Sequence, residues 1–137
     1  VFQAGTLAGN PLSCAAGLAT LEVLRTERPY ARMDGLAARL AEGILQAARA
    51  ADVAVTINRV GSAFTLFFGE HPVVDYASAS RASAQQFARF HRLMLERGVY
   101  LAPSRFEAWF VSAQHGEAEI DFTLEQVREA FQQMAEG

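Results

Sequence analysis

The sequence contains no lysine: all 12 basic residues among its 137 positions are arginine. A side-chain amine that could form a Schiff base is absent, so any mechanism needing one cannot run on these residues alone. Cysteine is almost as scarce. The single Cys14 excludes an intrachain disulfide framework and fits a reducing compartment. His71, His91 and His115 lie far apart and offer no familiar zinc spacing. A basic excess is also missing. Twelve basic against 15 acidic residues give a net charge of −3, which argues against a nucleic-acid binder. No apolar run reaches the roughly 20 residues that span a bilayer. The chain opens Val1-Phe2-Gln3 with no initiator Met and no export signal. The expectation is the C-terminal part of a longer cytoplasmic polypeptide, with neither membrane nor nucleic acid among its partners.

What is there reads as a folded chain. Hydrophobic residues make up 51% and charged residues 20%, the proportions of one globular domain or a piece of a larger one. Residues 1–9 read as a loop. Asn10-Pro11 predicts the N-cap and first position of a helix running to about Arg25. Leu18, Leu21 and Leu24 form its stripe, and Ala15, Ala16, Gly17 and Ala19 slim its early turns for close packing. A second helix runs from Pro29 to about Ala51, with Met33, Leu36, Leu40, Ile44 and Leu45 on one face. Val53, Val55 and Ile57 alternate as in a strand, Gly61 interrupts, and Phe64–Phe68 reads as a second strand. Residues 73–80 have no clear pattern. A helix follows from about Ala82 to Arg97, with Gly98 as its stop. Val99–Leu101 and Glu107–Ser112 are strand candidates, and a last helix runs from Gly116 to about Ala135. The fold class is α+β: a small, mostly antiparallel sheet with helices on one side.

Two places suggest chemistry. Gly5-Thr6, with Gly9-Asn10-Pro11, can present backbone N–H groups and a hydroxyl to an anion. A plain loop leading into a helix uses the same residues. It is neither a Walker A loop nor a dinucleotide fingerprint. Glu107, in Ser104-Arg105-Phe106-Glu107-Ala108-Trp109-Phe110, would share a strand face with Trp109. A carboxylate in apolar surroundings has a raised pKa and suits proton handling or cation binding. The alternative is a strand-end glutamate paired with Arg105 or facing water. His91 and His115 read as structural or solvent-facing, Cys14 as a buried packing residue, and Arg105 as a rim arginine.

The same segments carry a resemblance. Gln3-Ala4-Gly5-Thr6-Leu7-Ala8-Gly9-Asn10-Pro11-Leu12, with Ala15-Ala16-Gly17-Leu18-Ala19-Thr20-Leu21, resembles the class III pyridoxal-phosphate aminotransferases. Gly98-Val99-Tyr100-Leu101-Ala102-Pro103-Ser104, Phe106-Glu107-Ala108 and Phe110-Val111-Ser112-Ala113 with His115 resemble the glutamate-1-semialdehyde 2,1-aminomutase subgroup. The likeness covers essentially the whole chain.

The resemblance implies a fold type I homodimer with active sites at the dimer interface. Its cofactor is pyridoxal 5'-phosphate, cycling through the pyridoxamine form, and its Schiff-base lysine lies upstream of Val1. Residues 1–27 would be the end of the large cofactor-binding domain with its linking helix, and residues 28–137 the C-terminal small domain. Gly5 and Thr6 match the family's phosphate-binding pair, which serves the neighbouring subunit's cofactor. Glu107 matches its active-site glutamate. The reaction implied converts glutamate-1-semialdehyde, an amino-aldehyde, to 5-aminolevulinate for tetrapyrrole biosynthesis. The fragment alone would be inactive. Trp109 stands where the family usually has glycine, and Gly116 where it often has threonine. These departures leave open a sister aminotransferase acting on a β- or ω-amino acid. A non-catalytic binding or dimerisation domain is the third reading.

Overall fold

A computed structural model describes Gly5 and residues 7–136. Five helices and three strands run in the order α1 (Pro11–Glu27), α2 (Tyr30–Ala50), β1 (Val55–Val60), β2 (Ala63–Phe68), α3 (Tyr76–Arg81), α4 (Ala84–Glu96), β3 (Trp109–Phe110) and α5 (Glu117–Ala135). The sheet is antiparallel throughout, with β2 between β1 and β3. It is the α+β arrangement anticipated from the sequence.

The register explains the two faces of the sheet. Val55 pairs with Phe68, Ile57 with Leu66, and Phe64 with Trp109. Cross-strand partners point the same way, so these side chains form one apolar face. Phe64, Leu66 and Phe68 are each at most 2% exposed. They meet Leu40 and Ile44 of α2, Phe90 and Met94 of α4, and Leu124, Val127 and Phe131 of α5 in one core. Phe90 and Phe131 stack at 5.0 Å, and Phe68 lies 5.5 Å from Phe90. Such aromatic pairs add about 0.5–1.5 kcal/mol each beyond their burial.

The opposite face carries Thr56, Asn58 and Thr65, and these side chains anchor passing chain. Thr56 Oγ1 donates to the carbonyls of Gly69 and His71, both at 3.4 Å. Asn58 Nδ2 donates to Val73 O at 2.7 Å. The segment they hold leads into α3, which therefore lies away from the three long helices of the core.

Several expectations need correction. Val99–Leu101 is not a strand. Val99 N–H bonds back to Met94 O at 2.9 Å and Leu101 O accepts from His91, so the segment is the turn leaving α4. The candidate strand Glu107–Ser112 shrinks to Trp109–Phe110. Helix α3 occupies the stretch that showed no pattern. No residue of α1 is buried, and Cys14 is exposed rather than packed. The small residues of α1 find no partner among the described residues.

Candidate active site

The loop before α1 forms largely as its sequence dictates. Asn10 Oδ1 accepts the N–H of Ser13 at 3.0 Å, and Asn10 Nδ2 donates to Leu7 O at 2.7 Å. Pro11 takes the first turn, where its missing N–H costs nothing. Gly9 has φ of +75°, a conformation that favours glycine. Gly5 is exposed, and its carbonyl accepts from Ala8 N–H at 3.0 Å. Thr6 lies outside the described residues.

Glu107 sits in a bend, not on a strand. The bend follows from Pro103 and Ser104: Glu107 N–H donates to Ser104 O at 3.1 Å, and Phe106 N–H to Ser104 Oγ at 3.3 Å. Thr65 Oγ1 donates to Glu107 O at 3.4 Å. Both polar backbone atoms of Glu107 are thus engaged while the residue itself is exposed. It does not share an apolar face with Trp109, because the strand begins only at Trp109. Nor does Arg105 pair with it. Arg105 donates to the carbonyls of Ser80 and Ala82, the former at 3.3 Å, and its guanidinium lies 4.5 Å from the centre of the Phe106 ring.

Trp109 points into the core. Its ring meets Phe64 edge-on at 5.3 Å and lies parallel to Phe90 at 6.4 Å. It lines a cavity of about 250 Å³ with Tyr100, Phe110, Val111, His115 and Thr123. Glu107 does not line that cavity. The indole is therefore a packing group behind the loop that carries Glu107.

His91 and His115 serve structure. His91 Nε2 bonds to Leu101 O at 3.2 Å. His115 Nδ1 accepts the N–H of Ser112 at 2.9 Å. Arg32 grips the same turn through Ala113 O and His115 O. Glu119 reaches back to Gly116 N–H at 2.7 Å, and that bond holds its carboxyl below the ordinary range. Its own backbone N–H adds to the lowering, against a smaller desolvation.

One feature was missed at the level of sequence. Asp75-Tyr76-Ala77-Ser78 is a capping box. Ser78 N–H donates to Asp75 Oδ1 at 2.7 Å, and Ser78 Oγ accepts Asp75 N–H at 3.0 Å. The signal was an acidic cap with serine, rather than glutamate, three positions on.

The structure does not bring Gly5 and Glu107 into one described cluster.

Comparison with known proteins gives a consistent result. No family model matches the chain. It is 48% identical over 134 residues to a glutamate-1-semialdehyde 2,1-aminomutase of Desulfitobacterium hafniense, covering 98% of this chain and 31% of that one. It is 49% identical over 137 residues to that of Thermomicrobium roseum, covering 100% and 32%. The chain thus spans about a third of the length of these curated relatives. Among solved structures, an omega-transaminase from Sphaerobacter thermophilus superposes with a TM-score of 0.84 at 27% identity, over 100% of this chain and 31% of that one. A glutamate-1-semialdehyde aminomutase from Pseudomonas aeruginosa PAO1 in complex with PMP gives 0.80 at 26% identity, over 93% and 28%. Over its whole length the chain is homologous to part of the glutamate-1-semialdehyde 2,1-aminomutases, and its fold is that of the C-terminal small domain of fold type I pyridoxal-phosphate enzymes.

Proposed function

We propose that the chain is the C-terminal third of a pyridoxal-phosphate-dependent glutamate-1-semialdehyde 2,1-aminomutase, a cytoplasmic homodimer. Residues 1–27 complete the large domain and residues 28–137 are the small domain. The observation that carries this reading is identity of 48–49% sustained over essentially the whole chain. The absence of lysine agrees with it: the segment cannot supply the Schiff-base amine and acts only with the rest of the enzyme.

The donor set before α1 suits the cofactor's phosphate. Gly5 is exposed, so an anion can approach its backbone. A glycine amide and the Thr6 hydroxyl supply charge-assisted hydrogen bonds. In the dimer they would hold the neighbouring subunit's cofactor. The cofactor, once bound, provides the electron sink for amino transfer. Glu107 supplies the carboxylate that meets substrate and cofactor. Its backbone is fixed at both polar atoms, its side chain makes no hydrogen bond among the described residues, and it can move a proton at the reacting amine or orient it.

The test is to express the intact enzyme and follow 5-aminolevulinate formation from glutamate-1-semialdehyde without an added keto acid. Stoichiometric product without an amino acceptor supports the aminomutase. A requirement for a keto acid acceptor instead supports the second reading, an aminotransferase of a β- or ω-amino acid, which the superposition on an omega-transaminase favours. Glu107→Gln is expected to slow turnover and leave the fold intact; an unchanged rate removes Glu107 from the site.

A further inference from the structure

We propose that Arg105 is a positioning residue, which fixes the loop carrying Glu107 by bridging it to the C-terminal end of α3. This rests on the reading of Glu107 as the carboxylate that meets substrate and cofactor.

The loop's own bonds are short-range. Glu107 N–H to Ser104 O and Phe106 N–H to Ser104 Oγ shape the bend but anchor it to nothing else. Its side-chain bond to the sheet is the long one from Thr65 Oγ1 at 3.4 Å, and pairing with β2 resumes only at Trp109. Arg105 adds a cross-link of a different kind. Nη1 reaches back across the chain to Ser80 O at 3.3 Å and to Ala82 O. These carbonyls lie in the last turn and at the C-cap of α3. There the helix leaves acceptors unpaired and its dipole favours a cation. The same guanidinium lies over Phe106, whose ring also meets Tyr76 from the first turn of α3 at 5.7 Å. Both residues that immediately precede Glu107 are therefore held by one short helix.

That helix is itself seated firmly enough to serve as an anchor. The Asp75–Ser78 box closes its start, and Ser83 N–H just beyond its end bonds Phe68 O of β2 at 2.9 Å. An arginine kept for an acidic ligand would present its guanidinium outward. Arg105 instead engages two main-chain carbonyls and an aromatic face, a use to which a planar guanidinium is better suited than an ammonium. The arrangement leaves the Glu107 carboxylate unconstrained at its tip while restricting where its backbone can go.

The test is a double-mutant cycle in the intact holoenzyme: wild type, Arg105→Ala, Glu107→Gln and the double variant, with Arg105→Lys alongside. Arg105→Ala is expected to lower kcat by about tenfold, the scale of a slightly misplaced group, with KM little changed. In the Glu107→Gln background the same substitution is expected to change kcat by less than about twofold, because the group it positions is already disabled. Arg105→Lys, able to reach a carbonyl but not to stack as a fork, is expected to recover part of the loss. Should the alanine variant fail to fold, Arg105→Gln takes its place in the cycle. A normal kcat in Arg105→Ala, or losses that multiply in the double variant, overturns the positioning role and leaves Glu107 in place. A normal kcat in Glu107→Gln overturns the reading of Glu107 and this proposal with it.

Discussion

Gly43 of α2 faces the buried side chain of Leu124 on α5 so closely that a Cβ placed on Gly43 would sit 2.8 Å from Leu124 Cδ1 and 3.2 Å from its Cγ. The helix pair α2–α5 is in contact here because one partner has no side chain. Gly35, two turns earlier in the same helix, is exposed, and a Cβ placed on it would meet nothing within 4 Å. The two glycines therefore predict opposite outcomes. Gly35→Ala is expected to stabilise the fold by about 0.5–1 kcal/mol, the helix-propensity gain. At Gly43 that gain is outweighed by overpacking, which costs about 1–3 kcal/mol. Urea unfolding of the two variants checks the signs, and a Gly43→Ala/Leu124→Ala pair less destabilised than the sum of its singles would confirm the contact.

The box that starts α3 predicts acid sensitivity. The Ser78 hydroxyl first, and its backbone N–H second, hold the Asp75 carboxyl below its ordinary range against a smaller desolvation. A carboxylate with a lowered pKa in the folded state adds stability above its unfolded pKa, about 3.9. That stability fades as pH falls through the folded value. Stability is expected to fall on acidification below about pH 4, and Asp75→Asn, which keeps the acceptor, to flatten that part of the profile. Ser78 offers a sharper probe. It is 6% exposed, and its Oγ accepts the N–H groups of Val74 and Asp75, each at 3.0 Å. Ser78→Ala leaves two donors unpaired and is expected to cost about 1–3 kcal/mol. Denaturant midpoints measured from pH 3 to 7 test both effects.

The long helices were legible because each combines an apolar stripe with its own start or stop. Asn10-Pro11 opens α1, and Gly98, at φ of +81°, closes the turn after α4. Helix α3 was not legible: six residues hold no stripe, and it exists through side-chain capping and the burial of Ser78 and Ala79. Val99-Tyr100-Leu101 looked like a strand because it alternates, yet its backbone bonds return to α4 instead of to a strand. For Glu107, alternation with Trp109 suggested one face, but the turn built on Ser104 bends the chain before pairing begins. Arg105 had no local signal, since its partners lie more than 20 positions away. Motif likeness located the candidate site; tertiary bonds decide its shape.

Thr6 carries a prediction about cofactor retention. If its hydroxyl holds the phosphate beside the Gly5 amide, Thr6→Ala in the intact enzyme loses one hydrogen bond to a dianion. Cofactor affinity is then expected to weaken by about 1–3 kcal/mol, and Thr6→Ser to retain most of it. Titration of the apoenzyme with pyridoxal phosphate, followed by absorbance, measures this directly. Equal affinity in Thr6→Ala would return the loop to a purely structural role.

Trp109 separates packing from specificity. The indole meets Phe64 at 5.3 Å and Phe90 at 6.4 Å, on the core side of the sheet. Glu107 lies in the bend before it, exposed. A pocket-narrowing indole and a core indole predict different kinetics. If Trp109 narrows the pocket, Trp109→Gly changes KM or admits bulkier amino donors. If it fills the core, the same substitution leaves KM near wild type. It then lowers stability by about 3 kcal/mol, the low end for a large buried aromatic because this one is only partly buried. Trp109→Phe, which keeps an aromatic ring against Phe64, is expected to lose less than half of that. Substrate kinetics below the unfolding temperature, set beside denaturation of the same variants, decide between the two. The packing against Phe64 and Phe90 puts the main effect in stability, so a shift in KM without loss of stability would mean that the indole turns toward the ligand.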